Sequence, residues 1–317
     1  VEADVHDVVI LGAGPAGLTA AIYAGRARLD TVVLDRGVPG GQIATTDVVE
    51  NYPGFPNGVS GVELAGLMSE QAERFGARME MLEVEGLERQ GDLWRVRTSQ
   101  GPYLARTVIV ATGTRPRELG VPGEKEFRGR GISYCATCDG AFFRDKPVVV
   151  VGGGDSAVTE AEFLTRFASR VTIVHRRDEL RAARALQERV LQNPKVQVRW
   201  STVVVSFLGG DRLQRVRLRN LKTGAESEME AEGAFIYVGL LPNTDFLAGV
   251  VPLDEGGYLV TDEAMALPVP GLFAAGDVRR KRLRQVATAV SDGAVAAMSA
   301  EEYIVGRFGR QPVSTRG

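Results

Sequence analysis

Val8–Arg36 reads VVILGAGPAGLTAAIYAGRARLDTVVLDR, and Val148–Arg177 reads VVVVGGGDSAVTEAEFLTRFASRVTIVHRR. Each stretch is a β-branched run, a glycine turn, an alanine-rich helical segment and a second β-branched run, which is a β-α-β unit. The two copies are offset by a constant 140 residues, so that Gly12 matches Gly152, Gly14 matches Gly154, Gly17 matches Ala157 and Asp35 matches His175. A lone GxGxxG says little. Here each copy follows an apolar strand and opens a helix, the context in which the motif binds a dinucleotide. The first glycine allows a tight turn, the second lets the backbone approach a pyrophosphate, and the third lets helix and strand pack closely. The helix start then offers free N–H groups and a positive dipole end to phosphate. Two structural glycine turns in an ordinary α/β protein are the plainer alternative, and the matched register of the copies speaks against it.

The copies differ where a ribose would sit. Asp35 ends the second strand of the first unit, about 20 residues past the glycines, where an acid accepts hydrogen bonds from ribose hydroxyls. The second unit reads HRRDELR at that point, with Arg176, Arg177 and Arg181 crowded together. Arginine forks bind phosphate oxygens in pairs whereas an acid repels them, so this site suits NADP(H) over NAD(H). A solvated helix start, with the arginines paired to Asp178 and Glu179, is the alternative.

The rest of the chain fits around these units. Glycine makes up 38 of 317 residues, well above the usual ~7%, and with no collagen-like period the excess belongs to specific turns. Basic and acidic residues number 38 and 40, so bulk charge gives no reason to expect nucleic acid. No apolar run approaches the roughly 18 residues of a membrane span, and the opening VEADVHD lacks the basic start of a signal peptide. The expectation is a soluble cytoplasmic protein without a membrane or nucleic-acid partner, its start at Val1 suggesting a chain trimmed by a few residues. Short strands are expected over about 79–110, ending in TVIVATG, and again over 234–244. Ser60 and Glu63 form a capping-box pattern for a helix running to about Phe75 and stopping at Gly76. A last helix is expected from about Gln285 to Ile304. Gly/Pro clusters at 112–123 and 239–243 read as linkers. The second unit is therefore expected as a domain of 115–244 inserted into one of 1–114 and 245–317, in an α/β fold of two Rossmann-like dinucleotide-binding domains.

Cys135 and Cys138 form CATC, followed by Asp139 and Gly140. A structural zinc needs four ligands, and the only other soft donors are His6 and His175, so no metal is expected. Two inert buried thiols remain open, and a reversible dithiol/disulfide is the preferred reading because CxxC closes a small loop that exchanges readily. Asp139 is a candidate proton donor to a leaving thiolate; a turn or cap aspartate before Gly140 is its alternative. RRKRLR at 279–284 looks like a nucleic-acid patch, but its place between GDV and the last helix assigns it to a cofactor edge and a solvated loop. Phe142 and Phe143 are read as core packing or as an exposed docking surface, and Arg130 shares that status.

The motifs GAGPAG, GGQI, ENYPG, ATG, CATCDG, GGGDSA, HRRDELR and GDV followed by RQV occur in this order. Across nearly the whole chain it resembles the low-molecular-weight thioredoxin reductases, with CATCD between two dinucleotide motifs as the most specific element. The resemblance implies FAD in the first domain, NADPH and the redox disulfide in the inserted one, thioredoxin as the protein substrate, and a homodimer. It places Gly12, Gly14, Pro15, Ala16 and Asp35 on the adenosine half of FAD. Gly41, Gln42, Asn51, Ala111, Thr112, Gly113, Gly276 and Asp277 then fall along FAD, with Arg284, Gln285 and Val286 near the ring. Gly154, Asp155, Ser156, His175, Arg176, Arg177 and Arg181 fall on NADPH. Cys138 is implied as the cysteine facing flavin and Cys135 as the one attacking the partner disulfide, with nicotinamide and CxxC taking turns at the flavin by rotation of the inserted domain on its linkers. Asp35 stands where the family often has glutamate, and Tyr134 occupies a variable position. Rival readings are a flavin-dependent NADPH reductase of another electron carrier, which needs no CxxC, or of a thioredoxin-like protein; a glutathione-reductase-like enzyme, which needs a histidine after 175; and a non-enzymatic dinucleotide sensor.

Overall fold

The computed structural model describes residues 4–309; the start at Val1 lies outside them. The chain opens with β1 (Val5–Leu11), α1 (Pro15–Arg26) and β2 (Thr31–Asp35). Val8, Val9, Ile10 and Leu11 are all fully buried, which is what a central parallel strand covered on both faces requires. Alternate residues serve opposite layers: Val8 and Ile10 join the core beneath the helices, while Val9 and Leu11 join the core on the other face. Next come α2 (Gly61–Arg74), β3 (Arg78–Met81), β4 (Val84–Gln90), β5 (Leu93–Thr98) and β6 (Gly101–Val110). Ser60 caps α2 by accepting a hydrogen bond from the Glu63 amide, as the capping pattern predicts. β1, β2, β3 and β6 run parallel, and β4–β5–β6 is an antiparallel meander on the same sheet.

The chain crosses to a second compact unit through β7 (Thr114–Pro116). It then forms β8 (Ile132–Ser133), α3 (Ala136–Asp139), β9 (Pro147–Gly152), α4 (Asp155–Leu164), β10 (Arg170–Val174) and α5 (Arg184–Gln192). There follow β11 (Val196–Arg199), β12 (Thr202–Gly209), β13 (Leu213–Asn220), β14 (Glu226–Glu230), β15 (Gly233–Tyr237) and the returning β16 (Leu240–Pro242), which pairs with β7. Five strands form a parallel sheet in the order β11-β10-β9-β15-β8. Val148 and Val150 face α4 on one side. Val149 and Val151 meet Val204, Phe207, Val216 and Leu218 of the antiparallel β12–β14 sheet on the other. The chain then completes the first unit with β17 (Leu272–Ala274), parallel to β6, and α6 (Val286–Phe308). α6 outruns the expected end at Ile304 by one turn and stops where Gly309 adopts a left-handed backbone.

The compact units divide at 115/116 and 240/241, against the 114/115 and 244/245 of the sequence reading. Asn243 accounts for the second difference: its side-chain amide donates to the Thr112 carbonyl, and the Thr112 hydroxyl donates back to the Asn243 carbonyl. The LPN segment therefore belongs with the first unit.

Small residues set the layer spacing. A Cβ on Gly17 would lie 1.8 Å from the Gly12 carbonyl oxygen, and one on Gly293 of α6 would lie 2.2 Å from the Ala16 carbonyl oxygen. Gly17→Ala should cost about 1–3 kcal/mol in denaturant unfolding followed by circular dichroism. Gly14→Ala, where nothing lies within 4 Å, should stay within about 0.5 kcal/mol of the parent.

Candidate active site

The first glycine turn gathers residues from distant parts of the first unit. Gly12 has φ +107°, and a Cβ there would meet the Ala111 carbonyl oxygen at 2.4 Å. The turn therefore lies flush against the ATG segment of Ala111, Thr112 and Gly113. Gly14 caps α1 with no side-chain hydrogen bond and opens onto free space, so the first amides of the helix, beyond Pro15, point outward unclaimed. Gly41 packs back on Gly14, and Gly276 packs on Ala16. Asp35 is fixed at the strand end: its Oδ2 accepts from the Ala13 amide at 2.7 Å and its Oδ1 from the Gly37 amide at 2.9 Å. Each oxygen keeps a further lone pair for a ligand hydroxyl.

Further along the same surface, Gln42 Nε2 donates to the Thr114 carbonyl and hydroxyl, both at 2.8 Å. Asn51 Nδ2 donates to Gln285 Oε1 at 3.0 Å, tying the ENYPG loop to the residue that caps α6 just before Val286. Asp277 is largely buried, and its Oδ1 has no hydrogen-bond partner; Lys281 Nζ stands 3.9 Å away. Burial raises the Asp277 pKa, opposed by the charges of Lys281 and Arg284. Arg284 lies over the Tyr258 ring, 4.3 Å from its centroid. Of the basic run, Arg279 and Lys281 turn inward to Asp292, each at 2.8 Å, and the Gly276 amide donates to the same carboxylate at 3.0 Å.

The second turn repeats the design. A Cβ on Gly152 would lie 2.4 Å from the Tyr237 carbonyl oxygen, and Gly154 opens onto free space while capping α4 with no side-chain bond. Asp155 does not face that opening; its Oδ1 accepts from the Ala183 amide at 2.7 Å. Ser156 is exposed beside it. Arg176, Arg177 and Arg181 are exposed, and no ion pair among the described residues engages them; Asp178 pairs with Lys222 instead. His175 is separated from them by burial. It is 4% exposed, its ring lies under Gly153, where a Cβ would come within 2.4 Å of it, and its Nε2 has no hydrogen-bond partner. Burial lowers its pKa, opposed by a hydrogen bond to the Glu179 backbone and reinforced by the charges of the three arginines, and this favours the neutral ring.

Cys135 and Cys138 are joined as a disulfide with Cα atoms 5.3 Å apart. Cys135 is half-buried and Cys138 exposed. The loop backbone is held at nearly every residue. Ser133 Oγ accepts from the Cys135 amide at 3.0 Å, the buried Ala136 amide donates to the Tyr237 phenol oxygen at 3.0 Å, and the Cys138 amide donates to Cys135 Sγ at 3.1 Å. Asp139 is half-buried and starts the one-turn helix Gly140–Phe143 without capping it through its side chain, which counts against its cap reading. Phe143 packs edge-on to Phe235 with centroids 5.3 Å apart, whereas Phe142 is 74% exposed. The two phenylalanines thus divide between core and surface. Sequence reasoning missed Glu124, which is 2% exposed and accepts from the Leu119 and Gly120 amides and from the Tyr134 phenol at 2.6–2.8 Å. It missed Tyr237 as well.

Two nucleotide-type turns and an exchangeable disulfide in the unit of the second define a dinucleotide-dependent disulfide oxidoreductase. Residues 6–293 match the pyridine nucleotide-disulphide oxidoreductase family. The chain is 48% identical over 304 residues to thioredoxin reductases of Listeria innocua (96% of this chain, 95% of the relative) and Bacillus subtilis (96% of each). The crystal structure of Lactococcus lactis thioredoxin reductase in its FR conformation superposes with a TM-score of 0.94 at 46% identity, covering 95% of this chain and 99% of that one. The chain belongs to the pyridine nucleotide-disulphide oxidoreductases and, within them, to the low-molecular-weight thioredoxin reductases. The cofactors of that class are FAD and NADPH. The residues present fit them: two open glycine turns at uncapped helix starts, an unpartnered buried Asp277 oxygen in the first unit, and three unpaired guanidinium groups in the second.

Burial and the adjacent Glu124 carboxylate raise the Tyr134 pKa, and burial does the same for Tyr237. A phenol with a raised folded pKa holds its proton more tightly than the unfolded chain does, so its stabilisation is present below about pH 10 and is lost as pH climbs beyond it. Denaturant unfolding between pH 8 and 11.5 should show stability falling above about pH 10, less steeply in Tyr134→Phe than in the parent.

Proposed function

We propose that this protein is an NADPH-dependent thioredoxin reductase that uses Cys135–Cys138 to reduce the disulfide of thioredoxin. The observation that carries the reading is the disulfide itself, closed between backbone-anchored cysteines in the same compact unit as the arginine-flanked glycine turn. FAD, when bound, supplies two-electron relay between a nicotinamide and a disulfide.

The chain's own groups have separate tasks. The uncapped start of α1 and the open face of Gly14 hold the FAD pyrophosphate, and the spare lone pairs of Asp35 take the adenosine ribose hydroxyls. Gly41, Gln42, Asn51, Ala111, Thr112, Gly113, Gly276 and Asp277 line the remainder of FAD, with Arg284, Gln285 and Val286 at the ring. Gly154 and the start of α4, including Ser156, hold the nicotinamide dinucleotide pyrophosphate. Arg176, Arg177 and Arg181 grip its 2′-phosphate, while the neutral His175 supports the Gly153 backbone from beneath and Asp155 anchors Ala183.

Two electrons, which NADPH would supply by way of FAD, and two protons open the disulfide to a dithiol, with Cys138 as the sulfur reduced first. Cys135 thiolate, stabilised by the Cys138 amide hydrogen bond, attacks one sulfur of the partner disulfide and expels the other as a thiolate. Asp139 supplies the proton that neutralises a leaving thiolate. Cys138 thiolate then attacks Cys135 Sγ, releasing the second partner sulfur and restoring the Cys135–Cys138 bond. The exposed Phe142, four residues beyond Cys138, suits a protein partner. No helix among the described residues is long and apolar enough to cross a membrane, and the near-zero charge balance supports a protein rather than a nucleic-acid partner. A cytoplasmic location and a homodimer rest on the family alone.

Cys138→Ser should abolish NADPH-driven reduction of a thioredoxin and of a chromogenic disulfide, while the purified protein stays yellow with the parental flavin content. Retained turnover would sink the reading. Arg176→Ala with Arg177→Ala should raise KM for NADPH about 10–100-fold, as expected for losing charge-assisted hydrogen bonds worth ~1.5–3 kcal/mol. Turnover with NADH should change less than about twofold.

A further inference from the structure

We infer that Tyr237 is a positioning residue for the redox disulfide, its phenol oxygen clasping the Ala136 amide so that Cys135 and Cys138 stay poised to close. The inference rests on the redox reading of that pair. Tyr237 ends β15, where it lies opposite Gly152 of β9 in the parallel register. Its backbone carbonyl abuts the Gly152 turn, and its phenol oxygen reaches the other way to accept from the Ala136 amide at 3.0 Å. One residue therefore touches both the nucleotide turn and the redox loop.

The clasp has no ready substitute. Ala136 is fully buried, so water does not replace a lost acceptor, and an unpaired buried amide is costly. The loop also has little stiffness of its own. α3 spans only Ala136–Asp139, too short to persist unaided. When the disulfide opens, the covalent tie between the sulfurs is gone. The Ser133 bonds to Cys135 and the Tyr237 bond to Ala136 are then among the ties that hold the first cysteine's backbone near its closed geometry. The phenol is suited to a constant clasp: burial, with the Glu160 carboxylate adding to it, raises its pKa and keeps it neutral.

Pre-positioning raises the effective concentration of one sulfur at the other, which favours closure. Closure gives up two electrons and two protons to an oxidised dithiol reagent, and opening takes them back from the reduced reagent. Without the clasp the closed form loses part of its advantage. The equilibrium constant for closure should fall about threefold to tenfold, equivalent to ~15–30 mV for this two-electron couple.

The test uses parent and Tyr237→Phe holoenzymes equilibrated in dithiothreitol buffers of stepped reduced-to-oxidised ratio, quenched with a mass-tagging alkylator and counted for free thiols by mass spectrometry. Tyr237→Phe should open at a reduced-to-oxidised ratio threefold to tenfold lower than the parent, with the dissociation constant for NADPH unchanged. Coincident midpoints would overturn the inference. So would a midpoint shift matched by a comparable loss of NADPH affinity, because that is general loosening of the unit. If Tyr237→Phe does not fold, a fluorinated tyrosine at 237 keeps the shape and weakens the acceptor; a shift of the same sign supports the clasp, and no shift overturns it. A parent disulfide that NADPH fails to open would defeat the functional reading instead, and that arm is read separately.

Discussion

The Gly12 carbonyl oxygen sits where a side chain on Gly17 would have to begin. That close approach of helix to strand puts the start of α1 directly over the end of β1, and much of the first unit follows from it. The amides of α1 point across the open face of Gly14 because the helix cannot stand further off. Asp35, one strand over, is drawn into the same turn by the Ala13 amide. α6 reaches the back of α1 because Gly293 admits the Ala16 carbonyl, and it brings Asp292 to the Gly276 amide. The surface around the first glycine turn is thus assembled from contacts too tight for a β-carbon at Gly12, Gly17 or Gly293. The second unit uses the same constraint with different neighbours: Gly152 admits the Tyr237 carbonyl, and Ala157 at the third position is tolerated within the layer.

The repeated β-α-β pattern was legible because β1 and β9 are buried on both faces and therefore read as unbroken apolar runs. The Ser60 cap and the Gly/Pro crossovers were legible because each depends on a local residue type. The stretch Thr202–Glu230 is different. β14 is a charged edge strand whose sole apolar residue is Met229, so its period is invisible, although β12 and β13 carry five of the thirteen buried residues of a core. At the site, glycines, arginines and cysteines announce themselves. Glu124 does not. It is one of two acids in VPGEKEF, and only the folded loop shows that it, and not Glu126, is buried with three donors around it. Tyr237 lies in an apolar run that reads as core, and its hydroxyl partner is 101 residues away.

The two glycine turns share one scaffold and differ in the chemistry they expose. Glycine geometry and helix orientation are shared, and the difference is confined to the residues at the end of the following strand. In the first unit that position holds a carboxylate fastened by two amides. In the second it holds a ring pressed beneath the turn, and the exposed groups are arginines that have no ion-pair partner among the described residues.

The run RRKRLR carries five cations in six residues, yet most of that charge is not presented to solvent. Arg279 and Lys281 are neutralised in part by one buried aspartate, and Arg284 lies flat on a tyrosine ring. Only Arg280 and Arg282 stand out with Leu283. A polyanion approaching this face would meet two isolated guanidinium groups rather than a continuous stripe. Tallying basic letters along the chain therefore overstates the pull of this segment on heparin, on DNA or on a cation-exchange resin.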